Sequence, residues 1–313
     1  MMINKRLIQA VPESKQAVRD QVLLQWGSLI ANLIILFTFA FLLEALWKNQ
    51  LNALRLSLAA VLIFGSLVVR WFCTSAASRK SFEASRSVKQ ILRRQILEKL
   101  LRLGVSYREQ TATAEIVQIA VEGVDQLETY FGAYLPQFFY SMLAPLTLFA
   151  ALSWISLPSA LALLFCVPLI PIAIAAVQTF AKKLLSRYWG QYASLGDSFL
   201  ENLQGLTTLK IYQADEAMAL KMDVEAEHFR KITMRVLTMQ LNSIIIMDWV
   251  AYGGAALGVF LAAAQLRSGA ISLAQALAII FLSAEFFIPM RQLGSFFHIA
   301  MNGMAASDKI FQL

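Results

Sequence analysis

Between Thr129 and Ala181 the chain runs for 53 residues without one Asp, Glu, Lys or Arg. A helix needs about 20 apolar residues to cross the hydrocarbon core of a bilayer. The run is therefore too long for one crossing and suits a hairpin of two. Near its middle stands Ser156-Leu157-Pro158-Ser159, a turn-forming cluster. It divides the run into spans at about Phe131–Ile155 and Ser159–Ala181.

Four more segments have the same length and character, at about Leu23–Leu46, Leu54–Cys73, Ile244–Ala264 and Leu273–Phe297. Composition agrees with six spans: 58% of the 313 residues are hydrophobic, 15% are charged, and the mean hydropathy is +0.60. A soluble domain carries roughly 25% charged residues. A soluble globular protein is thereby excluded, and lipid must be the solvent for much of the chain. The class expected is an all-α membrane protein, with residues 1–313 forming one membrane domain.

The loops separate into two kinds. Spans one and two, three and four, and five and six are joined by a few residues each. About 55 residues lie between spans two and three, and about 60 between spans four and five. These two long loops hold 17 of the 27 Lys and Arg residues, from Arg79 to Arg108 and from Lys182 to Arg235. The positive-inside rule assigns both long loops and both termini to the cytoplasm. The net charge of +7 then needs no nucleic-acid partner to explain it.

Neither long loop reads as disordered. The first has apolar residues at helical spacing from Ile91 to Leu103 and again from Ile116 to Leu127, with one interruption near Gly104–Thr113. The second repeats the plan: a helix through Tyr188–Leu203, a break near Gly205–Gln213, and a helix from about Glu216 to Thr238. Proline is absent from both. The expected architecture is six transmembrane helices extended into the cytosol by two long helical hairpins whose amphipathic arms pack on one another. Cys73 and Cys166 stand far apart in apolar stretches and form no C-x-x-C pair, so they read as small apolar residues and not as a disulfide or zinc site. The first 20 residues carry four basic residues and no short apolar core with a cleavage site, which argues against a cleavable signal peptide.

This layout resembles the transmembrane domain of ABC exporters. Several segments are more closely similar to the CydD subunit of CydDC-type thiol exporters. These are Tyr134-Leu135-Pro136-Gln137, Pro168-Leu169-Ile170-Pro171, the run Phe199 to Lys210, and above all Glu285-Phe286-Phe287-Ile288-Pro289-Met290-Arg291-Gln292-Leu293-Gly294 followed by Phe297-His298. The resemblance covers residues from about 20 to 313. It implies an ATP-driven permease that moves cysteine or glutathione outward across a bacterial plasma membrane and supports cytochrome assembly. An ABC exporter of another small solute and a haem-binding or haem-transporting subunit remain the alternatives. It also implies two partners beside membrane lipid and the small-molecule substrate: a nucleotide-binding domain, and a second half-transporter of CydC type. Six spans leave one side of a cavity open, so a dimer is expected. No G-x-x-x-x-G-K-[ST] occurs, nor any Gly-Lys pair, so nothing here cradles ATP phosphates. ATP and Mg would act through a nucleotide-binding domain, whether it continues this chain or is a separate one. The chain departs from the family at Thr113-Ala114-Glu115, where Thr-Gly-Glu is common.

By the same resemblance, the turns at Ser106–Thr113 and Thr208–Asp215 are the coupling elements that fit grooves on the ATPase domains. Tyr107, Arg108, Thr208, Lys210, Tyr212 and Asp215 are the candidate contacts. Read from the residues alone, both are capped hairpin turns.

Charges within spans point to a substrate path, because a charge at the bilayer centre costs about 2.5–3.5 kcal/mol and seeks a partner or an aqueous cavity. The candidates are Glu285, about a dozen residues into span six, Asp248 in span five, and Arg70 and Arg291 near the inner ends of spans two and six. Gln292 lies seven residues from Glu285 on the same helical face. Carboxylate and guanidinium groups together suit a zwitterionic or anionic solute. The same charges also fit an interhelical salt bridge with snorkelling arginines. His298 is the candidate haem ligand implied by the resemblance; the alternative is a polar residue at the end of span six. Pro168 and Pro171 break backbone bonding inside span four, as a pivot or as a static kink. No His, Asp or Glu cluster with metal-ligand or catalytic spacing stands within the spans.

Overall fold

The computed structural model describes residues 6–7, 11–104, 116, 119–296, 303–304, 306–307 and 310–311. The described residues contain helices and turns and no strand. In chain order the elements are α1 (Pro12–Trp47), α2 (Ala53–Leu103), a π-helical turn at Ile119–Gly123, α3 (Val124–Thr129), a second π-helical turn at Tyr130–Tyr134, and α4 (Leu135–Ser153). Then follow α5 (Leu157–Cys166), α6 (Leu169–Gln204), α7 (Leu206–Ile211), α8 (Asp215–Arg267) and α9 (Leu273–Ser295).

Among the described residues, five helical runs are long and apolar enough to cross a membrane: Ser14–Trp47, Ala53–Leu103, Ile119–Ser153, Asp215–Arg267 and Leu273–Ser295. The fourth apolar stretch departs from the regular span expected at Ser159–Ala181. Helix α5 ends at Cys166 and α6 starts at Leu169, with a turn at Val167-Pro168. Proline has no N–H to continue the helical ladder and its ring collides with the preceding turn. Pro171 is tolerated, because it falls in the first turn of α6, where an N–H would have no helical acceptor.

The long arms grow directly from the spans. Helix α2 has 51 residues and α8 has 53. At 1.5 Å per residue each is nearly 80 Å long, over twice the roughly 30 Å hydrocarbon thickness. The short joins rest on local caps. Asn49 and Gly269 take positive φ (53° and 72°) at the α1–α2 and α8–α9 turns. Ser272 and Gln275 form a capping box that opens α9. At the α4–α5 turn, Ser156 Oγ accepts from Ser159 N (3.4 Å) and donates to Gln265 Oε1 (2.7 Å).

The chain forms two compact units, residues Met1–Pro168 with Ala251–Leu313, and Leu169–Val250. In the first, α1 packs along α2, and α4 and α9 pack against α1 and each other. Its hydrophobic core lies on the arm side. Ala84, Val88, Leu92 and Ile96, four residues apart on α2, meet Ile119, Val124, Leu127 and the aromatic group of Tyr130, Phe131 and Tyr134. Lys89 flanks this seam, 2.8 Å from both Asp125 and Glu128. Leu97 and Leu101, which share the expected apolar pattern, are exposed.

Gly132 is the tightest point. Its carbonyl accepts from Gln21 Nε2 (3.2 Å) and Ser81 Oγ (2.8 Å), so the π-helical turn gives a carbonyl to two neighbouring helices. A Cβ at Gly132 would overlap Ser85 Oγ and come within 3.4 Å of the Ser81 carbonyl. Gly132→Leu is expected to destabilise the chain by about 1–3 kcal/mol through overpacking, read as a lower thermal midpoint in detergent.

In the second unit, α6 and the first part of α8 carry a ring cluster: Tyr188 lies 5.4 Å from Phe229 and Tyr192 lies 5.9 Å from it. Gly205 ends α6, and α7 forms the turn to α8, where Gln213 takes a positive φ of 52°.

Candidate functional site: a polar array between the spans

Four spans contribute to one polar group in the first unit. Asn32 sits mid-way along α1 and is buried. Its amide oxygen accepts from Arg70 Nη1 of α2 (2.7 Å), and its amide nitrogen donates to Glu285 Oε1 of α9 (2.9 Å). Arg70 and Glu285 thus meet through an amide and not through a direct ion pair. Tyr140 of α4 is half-buried and within electrostatic reach of both charges. The amide uses one oxygen of the Glu285 carboxylate and one nitrogen of the guanidinium, which leaves the second carboxylate oxygen and further N–H groups in the same place.

A second set lies one to two turns further along α9. Pro289 stands inside that helix, which continues through it, and its carbonyl accepts from Gln137 Nε2 of α4 (3.0 Å). The same nitrogen donates to Gln292 Oε1 (3.3 Å). Glu285 and Gln292 share a face, as their seven-residue spacing predicts. Arg291 points elsewhere. Its Nη1 donates to Tyr252 Oη (3.2 Å), and its guanidinium lies 5.5 Å from that ring's centre.

The structure therefore joins Glu285 and Arg70, expected at different depths, at one level. It places Gln292 on the neighbouring amide pair and sets Arg291 against an aromatic ring. Asp248 is half-buried on α8 and belongs to the second unit. Asn32, Gln137, Tyr140 and Tyr252 are participants that sequence reasoning missed. An Asn in the middle of an apolar span was the available signal for the first.

The turn at α7 holds the other candidates. Thr208 and Lys210 lie on α7, and Tyr212 caps it. Lys210 Nζ pairs with Asp215 at the start of α8. That ammonium, with the backbone N–H at Asp215, holds the carboxyl below its ordinary range. Ile211 and Tyr212 are 73% and 78% exposed, and with the exposed Leu206 they give the turn an apolar surface. Tyr107, Arg108 and His298 lie outside the described residues. Among the described residues no group of three or more His, Cys, Asp and Glu side chains is placed to hold a metal ion. The second histidine, His228, is exposed on the arm of α8.

Comparison with known proteins agrees with this architecture. The family model for the ABC transporter transmembrane region matches residues 20–290. An uncharacterized ABC transporter ATP-binding protein of Haemophilus influenzae is 51% identical over 292 residues, covering 93% of this chain and 52% of that protein. The glutathione/L-cysteine transport system ATP-binding/permease protein CydC of Bacillus subtilis is 25% identical over 91% of this chain and 52% of its own length. CydD of the same system in Escherichia coli is 28% identical over 87% and 47%. The chain spans about half the length of these curated relatives. With six apolar stretches, two long helical arms and a family match over most of its length, this multi-pass membrane chain belongs to the ABC transporter transmembrane-region family.

Proposed function

We propose that this chain is the membrane half of an ATP-driven exporter that carries a small zwitterionic thiol, cysteine or glutathione, out of a bacterial cytoplasm. The observation that carries the reading is the Arg70–Asn32–Glu285 array. A guanidinium and a carboxylate held a fixed distance apart by one amide match the two ends of an amino acid. Arg70 would take the solute's carboxylate through its free N–H groups, and Glu285 would take the ammonium through its second oxygen. The names of the CydC and CydD relatives support the same solute class.

The residues present do not fit ATP, because no phosphate-binding loop occurs among them. The reading therefore assigns hydrolysis to a nucleotide-binding domain, reached through the α7 turn, and gives the chain a second half-transporter of CydC type as partner. Both arms and both termini then face the cytosol, where their basic residues belong. The test is ATP-dependent uptake of labelled L-cysteine and glutathione into inverted vesicles holding the complete transporter. Uptake of either is expected, and Arg70→Gln is expected to weaken its apparent affinity about tenfold or more, since a hydrogen-bonded charge contributes about 1.5–3 kcal/mol. ATP-dependent uptake of neither thiol would refute the reading.

A further inference from the structure

A groove of about 440 Å³ lies where the start of α1 meets the second π-helical turn and α4. Its mouth carries Lys15 and Arg19, four residues apart and hence on one face of α1. Its wall is Val22 of α1 with Phe131, Leu135 and Phe139, which are also spaced by four and form one stripe. Phe131 and Leu135 are buried in the floor, whereas Phe139 is exposed at the lip.

The polarity of the groove runs in one direction. Lys15 to Val22 is seven residues, about 10 Å along the helix. The cations stand one to two turns before the apolar run of span one, where a bilayer carries its headgroups, and the aromatic stripe lines the same groove. Both cationic side chains are exposed. Arg19 reaches the Asp20 carboxylate at 3.3 Å with one nitrogen, and its side chain keeps 67% of its accessible surface. A soluble anion would leave the aromatic wall unused, and an apolar peptide would leave two cations uncompensated.

We infer that this groove is a binding site for an anionic phospholipid of the same leaflet, with its phosphate on Lys15 and Arg19 and an acyl chain along Phe131, Leu135 and Phe139. The site is independent of the transported solute. It would tie the lipid to the buried seam of α1, α2 and α4 at Gly132.

The test uses the full chain in phosphatidylcholine nanodiscs with a Phe139→Trp substitution, whose indole reports local lipid after subtraction of the six native tryptophans. Brominated phosphatidylglycerol is expected to quench it at a roughly tenfold lower lipid fraction than brominated phosphatidylcholine, since each basic residue near a membrane surface favours anionic lipid several-fold. Lys15→Gln with Arg19→Gln should remove that preference, and raised salt should shrink it in the Phe139→Trp chain without further substitution. Equal quenching by both lipids would overturn the proposal and leave an ordinary lipid-facing surface. Absence of quenching by either would overturn it in favour of a second copy or another protein segment on this face. A preference for phosphatidylglycerol unchanged by the double substitution and by salt would also overturn it.

Discussion

Glu285→Gln is expected to lower ATP-dependent thiol uptake about ten- to a hundredfold while the chain stays folded. The substitution keeps a side-chain oxygen for Asn32 Nδ2, which reaches the carboxylate at 2.9 Å, so the bridge to Arg70 survives. What is lost is the negative charge that would hold the solute's ammonium, and hydrogen bonds to charged groups contribute about 1.5–3 kcal/mol. Asn32→Leu should behave differently. It strips partners from both a carboxylate and a guanidinium inside the spans, so it should lower stability by about 3 kcal/mol as well as abolish uptake. Thermal midpoints in detergent beside uptake in inverted vesicles separate the two effects. An unchanged uptake in Glu285→Gln would make the array a structural brace only.

The second large effect is expected at the α7 turn. Tyr212→Ala should leave nucleotide binding intact and abolish the stimulation of ATP hydrolysis by transported solute. Tyr212 and Ile211 are among the most exposed large apolar side chains of the second unit, and they sit together at the end of a six-residue helix. The Gly205 end of α6, the positive φ at Gln213 and the Lys210–Asp215 pair fix that helix at the turn between α6 and α8. Aromatic side chains contribute most when a partner desolvates them. Single-cycle nucleotide binding and solute-stimulated hydrolysis, measured on the complete transporter, check the prediction. Retained stimulation would place coupling elsewhere.

The helical class and the two arms were legible because charge-free runs and basic loops alternate on the scale of a bilayer. The α7 turn was legible from Gly205 and the polar residues after it. Pro168 announced the interruption of the fourth apolar stretch, since proline removes a ladder bond wherever it falls inside a helix. The two π-helical turns were not legible. The second one receives bonds at its Gly132 carbonyl from Gln21 and Ser81, far away in sequence, and which helices meet there is not written in local periodicity.

The site was half legible. Glu285 and Arg70 stand out as charges in apolar surroundings, but Asn32, which joins them, is neutral and its partners are 38 and 253 residues distant. Periodicity tells which residues share a face, not which face meets which helix. It kept Gln292 with Glu285. Arg291 lies six residues from Glu285, about a third of a turn off that face, and meets Tyr252.

The central claim is that Arg70 and Glu285 read the two ends of one amino acid. Competition against labelled L-cysteine uptake tests it, using cysteamine, which lacks the carboxylate, and 3-mercaptopropionate, which lacks the amine. Both should compete poorly with the unsubstituted transporter. Arg70→Gln should narrow the gap between cysteine and cysteamine only, and Glu285→Gln the gap between cysteine and 3-mercaptopropionate only. Equal loss of affinity for all three solutes in both variants would contradict the account.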